Sequence, residues 1–335
     1  MELNQIFCDG LVLQAGKPVR IFGTGEGVVT AAIGGKSAQL ESREEKWVLE
    51  LPAFEYGGPY TLEVTLNGEK QQIQDVWFGD VILVAGQSNV QLKLCDTNTP
   101  VELYQSNEDL RLFTIDRAFE DEEYFHARDK WVKADKETLQ YWTALGYLTA
   151  MLMHRQLDHK IGIVVCYQGG SIIQSFIPKG ILLDTESYEA AEEHSLELRN
   201  PEYLAWNRDG NIYRAQFSLL IPFAFKAVLW YQGEGNSHMP DAPVYGGMLE
   251  TLIRRWRQDL QDEDLPFIVV QLADLFHVGC ERDLWVLVQN AQEEVAQKLP
   301  NVVCVPCKDI SETDDIHPKT KLPLAERIAA EMLKL

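Results

Sequence analysis

The stretch that decides the fold is Val81-Ile82-Leu83-Val84-Ala85-Gly86-Gln87-Ser88-Asn89. Its first five residues are apolar and mostly β-branched, the signature of a short strand buried on both faces, as in a parallel sheet covered by helices. Gly86 then permits a tight turn and leaves space beside the residues that follow. Gln87-Ser88-Asn89 places three polar side chains just beyond the strand's carboxyl end.

The same grammar repeats downstream. Apolar runs occur at Ile161-Gly162-Ile163-Val164-Val165, Ala227-Val228-Leu229-Trp230, Phe267-Ile268-Val269-Val270 and Val302-Val303-Cys304-Val305. Between and after them lie helical patterns at 140–158, 247–260, 284–299 and 321–335. In the last of these Leu322, Ala325, Ile328, Ala329 and Met332 recur at helical spacing. Strand-helix alternation predicts an α/β fold, a parallel sheet flanked by helices, over residues 76–335. The long, Glu-rich stretch 178–211 is expected to be a helical insertion overhanging the site.

Upstream the pattern differs. Residues 1–75 read as short strands punctuated by turns, among them Gly34-Gly35 and the hairpin signal Asn67-Gly68, which predicts a small β-sandwich without catalytic residues. A chain of 335 residues also exceeds the usual single core, consistent with two units.

The formal charge of -21 and pI near 4.7 oppose nucleic acid and anionic membrane surfaces as partners. Met1-Glu2-Leu3-Asn4-Gln5 lacks the basic, then apolar, pattern of a secretory signal, and no apolar run approaches the roughly 18 residues that span a bilayer; a cytoplasmic location is expected. The six cysteines have no disulfide-framework spacing. Cys304-Val305-Pro306-Cys307 matches CxxC but continues a strand instead of opening a helix, so reduced, inert thiols are expected. His126, His154, His159, His194, His238 and His277 show no metal-ligand spacing, and neither metal nor cofactor is expected.

In an open parallel sheet, ligands bind beyond the carboxyl ends of the strands. The polar clusters there are Gly86-Gln87-Ser88-Asn89, Gln168-Gly169-Gly170-Ser171, Tyr231-Gln232-Gly233-Glu234-Gly235-Asn236 and Thr313-Asp314-Asp315-Ile316-His317-Pro318. A serine hydroxyl needs a base to take its proton, and histidine suits that task when a carboxylate orients it. Ser88, His317 and an aspartate fit this set, although the turn is not the GxSxG elbow of α/β-hydrolases. The oxyanion of an acyl-transfer intermediate needs donors. Candidates are the N–H of Ser88, that of Gly169 or Gly170, and the side-chain amide of Gln232.

These blocks resemble the sialate O-acetylesterase family within the SGNH (GDSL-like) hydrolases. Phe78-Gly79-Asp80-Val81 leading to Gly86-Gln87-Ser88-Asn89 is similar to its nucleophile block, and Gly169-Gly170-Ser171 to its glycine block. Leu229-Trp230-Tyr231-Gln232-Gly233-Glu234 resembles its third block and Asp315-Ile316-His317-Pro318-Lys319 its histidine block. Similarity extends to Phe7-Cys8-Asp9-Gly10-Leu11-Val12-Leu13-Gln14 in the N-terminal β-region. The resemblance implies an SGNH-hydrolase (flavodoxin-like) fold and hydrolysis of O-acetyl esters on a sugar or glycan, O-acetylated sialic acid first, with Ser88 as nucleophile and His317 as base. Acetylated plant polysaccharide is the alternative substrate, and a noncatalytic glycan-binding protein the alternative of another class.

The general DxxH spacing selects Asp314 as the acid; the closer family pattern has its aspartate at Asp315, and Asp314 is preferred. Gln232 stands where SGNH enzymes carry an oxyanion asparagine, with Asn236 as the other register. Gln87, Asn89 and Glu234 are expected substrate contacts, with a structural hydrogen-bonding role favoured for Glu234, and Arg199, Arg208 and Arg214 are candidate partners for a sugar carboxylate. Val90 and Gln289 depart from the family's usual Met and Arg.

Overall fold

The computed structural model describes residues 2–115, 130–182, 204–208, 210–276 and 281–335. Its N-terminal strands are β1 (Glu2–Leu3), β2 (Val12–Gln14), β3 (Val19–Thr24), β4 (Gly27–Ile33), β5 (Lys36–Ser42), β6 (Lys46–Leu51) and β7 (Gly57–Leu66). Strands β1, β3 and β6 form a small antiparallel sheet. On β6, Trp47, Leu49 and Leu51 are buried while Lys46, Val48 and Glu50 are exposed, the two-residue period of a strand covered on one face. Strand β4 pairs with β5 and β7. Both hairpins turn where the sequence predicts: Gly34 and Gly35, then Asn67 and Gly68, all have positive φ, as a two-residue primed turn requires.

Strand β8 (Glu69–Gly86) is the spine of the molecule. Its first half pairs antiparallel with β7, Trp77 to Gly79 pair parallel with β2, Asp80 to Gly86 pair parallel with β11, and from Ile82 onward β12 is a second parallel neighbour. The expected division after residue 75 therefore falls inside a continuous strand, not in a linker. From Val81 to Gly86 every residue is buried, which explains why this run carries no polar alternation.

The remaining strands are β9 (Asn107–Thr114), β10 (Trp131–Ala134), β11 (Ile161–Tyr167), β12 (Ala227–Tyr231), β13 (Phe267–Val270) and β14 (Val302–Val305). The sheet order is β10-β9-β11-β8-β12-β13-β14, all parallel except β10. Without the two edge strands, the order β11-β8-β12-β13-β14 is the 2-1-3-4-5 winding of a flavodoxin-like sheet, whose crevice opens between its first and third strands. Here those are β8 and β12.

Strands β9 and β10 are absent from the sequence reading. The former opens on Asn107-Glu108-Asp109 and carries Arg111, which reads as loop. Arg111 is nonetheless 1% exposed, because its guanidinium donates to Gly10 O (2.6 Å) and Asp75 O (3.0 Å) and pairs with the Asp75 carboxylate at 3.0 Å. A buried charge is tolerated when it is paired; the two terminal nitrogens carry all of these contacts, Nε having no partner among the described residues, and they tie β9 of the central sheet to the N-terminal strands.

The helices that frame the site are α1 (Ser88–Gln91), α2 (Ala144–His154), α3 (Tyr245–Asp259), α4 (Arg282–Lys298) and α5 (Leu322–Met332), with two further short helical turns at Leu204–Asn207 and Asn211–Ala215. Helix α2 is shorter than the expected 140–158. It begins at Thr143, whose hydroxyl accepts the Gly146 N–H (3.2 Å). Helix α2 packs against α5 and α3 against α4. Most of the 178–211 insertion lies outside the described residues.

Where β8 gives way to the crevice, Gly86 has φ +134° and a Cβ there would lie 2.1 Å from Tyr231 O on β12. Only glycine allows this approach. Gly86→Ala is expected to lower the unfolding free energy by about 3 kcal/mol or more, or to prevent folding; urea denaturation measures it.

Candidate active site

The crevice between β8 and β12 is built from the four strand-end clusters. After Gly86 the chain is still extended at Gln87, then enters the single turn of α1 at Ser88. The Gln87 N–H donates to Tyr231 O and the Gln168 N–H to Gly86 O, both at 3.0 Å, so the loops after β8, β11 and β12 are tied at their roots. The glycine block runs alongside: a Cβ on Gly169 would lie 3.6 Å from that of Ser88.

The loop between β14 and α5 brings in His317. Its Nε2 lies 2.8 Å from Ser88 Oγ, across 229 residues of sequence. Both residues are half-buried. Burial holds the imidazole pKa below its usual 6.5; the charge of Asp315 opposes this and that of Lys321 adds to it. At neutral pH His317 is therefore in the form that accepts a proton.

Asp315 is half-buried, and its Oδ1 accepts the His317 backbone N–H at 2.9 Å, which shapes the loop. Asp314, the preferred acid of the DxxH spacing, is exposed, and its charge is not among those acting on His317. Asp314 is close along the chain, but of the two aspartates it is Asp315 that hydrogen-bonds to the histidine residue.

Among the expected oxyanion donors, Ser88 N is the first N–H of a helical turn and has no acceptor among the described residues, as that position dictates. Gly169 N is committed to Gln91 Oε1 at 2.6 Å; Gly170, the other glycine of the pair, has φ +67°. Gln232 differs from expectation. It is fully buried, its Nε2 donates to Asn236 Oδ1 (2.7 Å), Gln87 Oε1 (3.1 Å) and Ser171 O (3.3 Å), and its Oε1 accepts from Tyr245 (3.1 Å). Asn236, the other register, is equally enclosed, donating to Gln174 Oε1 and Asp241 Oδ2. Both amides brace the loop after β12 rather than point into the crevice.

The expected substrate contacts also turn inward. Gln87 Oε1 accepts from Gly233 N (3.3 Å), Gly235 N (3.1 Å) and Gln232. Asn89, 2% exposed, donates to Glu234 Oε1 (2.6 Å) and to Ile316 O (2.8 Å), and accepts from Lys321 Nζ (2.7 Å). Burial pushes the Glu234 carboxyl above its usual range, with the Asn89 hydrogen bond and the Lys321 charge pulling it back. Lys321 escaped the sequence reading because a lysine at the start of an amphipathic helix ordinarily reads as solvated. Gln91 escaped it as one more polar residue after the nucleophile turn.

Other candidates lie elsewhere. His159 pairs with the buried Asp80 at 3.0 Å, six residues before Gly86 on β8, and His154 with Asp109 at 3.1 Å. His238 Nε2 meets Gly235 O at 2.9 Å. Burial raises Cys304 to about 12 and Cys307 to about 11, so neither is a thiolate at neutral pH. Arg208 and Arg214 are both exposed. Arg199, His126, His194 and His277 lie outside the described residues. Among the described residues, no helix is long and apolar enough to cross a membrane.

A family model described as carbohydrate esterase, sialic acid-specific acetylesterase, matches residues 78–334. The chain belongs to this family. The match begins where β8 approaches the central sheet and takes in all four strand-end clusters. A sialate O-acetylesterase of Homo sapiens is 26% identical over 369 residues, covering 95% of this chain and 68% of that protein. A probable carbohydrate esterase of Arabidopsis thaliana is 36% identical over 123 residues, 35% of this chain and 44% of that one. The solved structure of a carbohydrate acetylesterase from Xanthomonas citri has a TM-score of 0.81 and 29% identity, and the match covers 98% of this chain and 73% of that one. The family member described here is accordingly a carboxylic ester hydrolase with the mixed α/β architecture of carbohydrate esterases.

The contrast between the two aspartates of this esterase is measurable. Asp315→Ala is expected to lower kcat/KM about tenfold or more, through loss of the loop contact and of the charge acting on His317, while Asp314→Ala stays within about threefold of wild type. Steady-state hydrolysis of a chromogenic acetyl ester by both variants decides this.

Proposed function

We propose that the protein is a serine acetylesterase of SGNH type that removes O-acetyl groups from carbohydrate, with O-acetylated sialic acid as the substrate class. The 2.8 Å contact between Ser88 and His317 in the crevice carries this reading, and the relatives' names supply the substrate class.

In the proposed reaction Ser88 Oγ attacks the acetyl carbonyl as His317 Nε2 takes its proton. The carbonyl oxygen becomes an oxyanion facing the backbone N–H groups of Ser88 and Gly170. His317 returns the proton to the departing sugar hydroxyl, leaving an acetyl ester on Ser88. Water, deprotonated by His317, then attacks that ester, and acetate leaves as Ser88 is reprotonated. Gln232 serves by holding the third loop in place. Its amide is spent on Asn236, Gln87 and Ser171, so the third donor inferred from the motif is not part of this scheme.

The apolar side chains Ile316 and Phe276 are 43% and 64% exposed on the His317 side of the crevice, where the Phe276 N–H donates to Thr313 O at 2.7 Å. They offer an apolar surface at the rim for a sugar ring or an acetyl methyl group.

Ser88→Ala is expected to reduce release of acetate from O-acetylated sialic acid about a thousandfold or more; a wild-type rate in that variant sinks the serine mechanism. A parallel assay on acetylxylan separates the substrate classes, and faster release there overturns the sialic acid assignment. The pH dependence follows from His317. Its neutral form is required and its folded pKa is depressed, so the acid limb of kcat/KM is expected to have its midpoint below 6.5.

A further inference from the structure

Lys321 is the least expected residue in this region. It is 2% exposed, immediately precedes α5, and lies four residues after His317. A side chain of this length ordinarily carries its ammonium to water, and burying it costs free energy unless the charge is compensated. The compensation is specific. Lys321 Nζ donates to Asn89 Oδ1 at 2.7 Å and lies 5.5 Å from the centre of the Tyr231 ring. The Asn89 Nδ2 donates to Glu234 Oε1 and to Ile316 O.

The chemistry of the three partners fixes the orientation of the Asn89 amide. An ammonium only donates, whereas a carboxylate and a carbonyl only accept, so Oδ1 must face Lys321 and Nδ2 must face Glu234 and Ile316. The amide thus links a buried cation to a buried carboxyl whose other oxygen, Oε2, has no partner among the described residues. Asn89 adjoins Ser88 and Ile316 adjoins His317. The same amide therefore joins the backbone that carries the nucleophile to the backbone that carries the base.

We propose that Lys321 is a positioning residue for ester hydrolysis: acting through Asn89, it holds the Ser88 turn and the His317 loop in reacting register and sets the charge that the imidazole experiences. This rests on the roles proposed above for Ser88 and His317. Truncating Lys321 leaves Asn89 Oδ1 without its donor and frees the amide to turn, which loosens the 2.8 Å contact. It also removes a positive charge that disfavours the imidazolium.

The charged and titratable groups acting on Lys321 are Cys307, Glu234, Glu312 and Asp315, and those acting on His317 are Asp315 and Lys321 itself. Burial lowers the Lys321 pKa to about 8, so it is still mainly charged through the range in which His317 titrates. Loss of the charge must therefore move the acid limb of the pH profile upward, an effect that a purely space-filling residue would not have.

The experiment measures kcat, KM and the pH profile of kcat/KM on p-nitrophenyl acetate for wild type, Lys321→Met, Lys321→Gln and Lys321→Arg, with folding checked by circular dichroism. Lys321→Met is expected to lose about tenfold or more in kcat with KM within about twofold of wild type. The acid limb is expected to rise by about half a pH unit in Lys321→Met and Lys321→Gln and to return to the wild-type position in Lys321→Arg.

An acid limb that stays in place in both uncharged variants overturns the proposal, as does an unchanged kcat in Lys321→Met. If Lys321→Met does not fold, the limb positions of Lys321→Gln and Lys321→Arg decide in the same way. Ser88→Ala, run alongside, separates the two readings. Full activity there removes the serine mechanism itself, whereas a normal loss together with unmoved limbs removes only the role of Lys321.

Discussion

The architecture of the crevice depends on one close approach of backbone to backbone. At Gly86 the central strand passes so near Tyr231 O on β12 that no Cβ fits. Strands β8 and β12 stay paired up to that point, and their loops begin there, at the switch point of the winding. Ser88 follows Gly86 by two residues and so opens the helical turn directly beyond the end of the strand. Any side chain at Gly86 would separate the strands and, with them, the loops that each carries.

Around that point the polar groups are arranged to brace one another. Gln87 gathers the N–H groups of Gly233 and Gly235, Gln232 joins Asn236 to the turn after β11, and Asn89 holds Glu234 together with the histidine loop. Buried polar groups lose their hydration and must find partners, and a network in which most are satisfied resists displacement of any one. The result is a base of mutually bonded side chains beside the half-buried Ser88 and His317, whose Oγ and Nε2 lie 2.8 Å apart. An acyl-transfer site needs such preorganised donors more than it needs many side chains directed at the substrate.

The N-terminal strands are not an appendage on a linker. They share β8 with the central sheet, and the buried Arg111 guanidinium connects the far edge of that sheet to Gly10 and Asp75. A load on one part is passed to the other through paired backbone and a desolvated ion pair. The smooth transition explains why a composition change near residue 75 was visible while the strand running through it was not: the exposed half of β8 alternates and its buried half does not, although the backbone is one element.

The sequence by itself determined the α/β class, the five strands of the winding core, the primed hairpin turns, and the meeting of Ser88 with His317. These follow from local rules: apolar runs without alternation, glycines where φ must be positive, and the principle that function gathers beyond the carboxyl ends of parallel strands. Only the tertiary structure decided which polar residues near Ser88 face the crevice and which face each other. Gln87, Asn89, Gln232 and Glu234 have the side chains of substrate contacts, yet their hydrogen bonds are made across loops that are distant in sequence. Whether an amide points to ligand or to protein depends on partners that no local pattern specifies. The same holds for Asp315, whose carboxylate turns back onto the His317 N–H while its neighbour Asp314 is exposed, and for Lys321, whose burial depends on Asn89 arriving from 232 residues away.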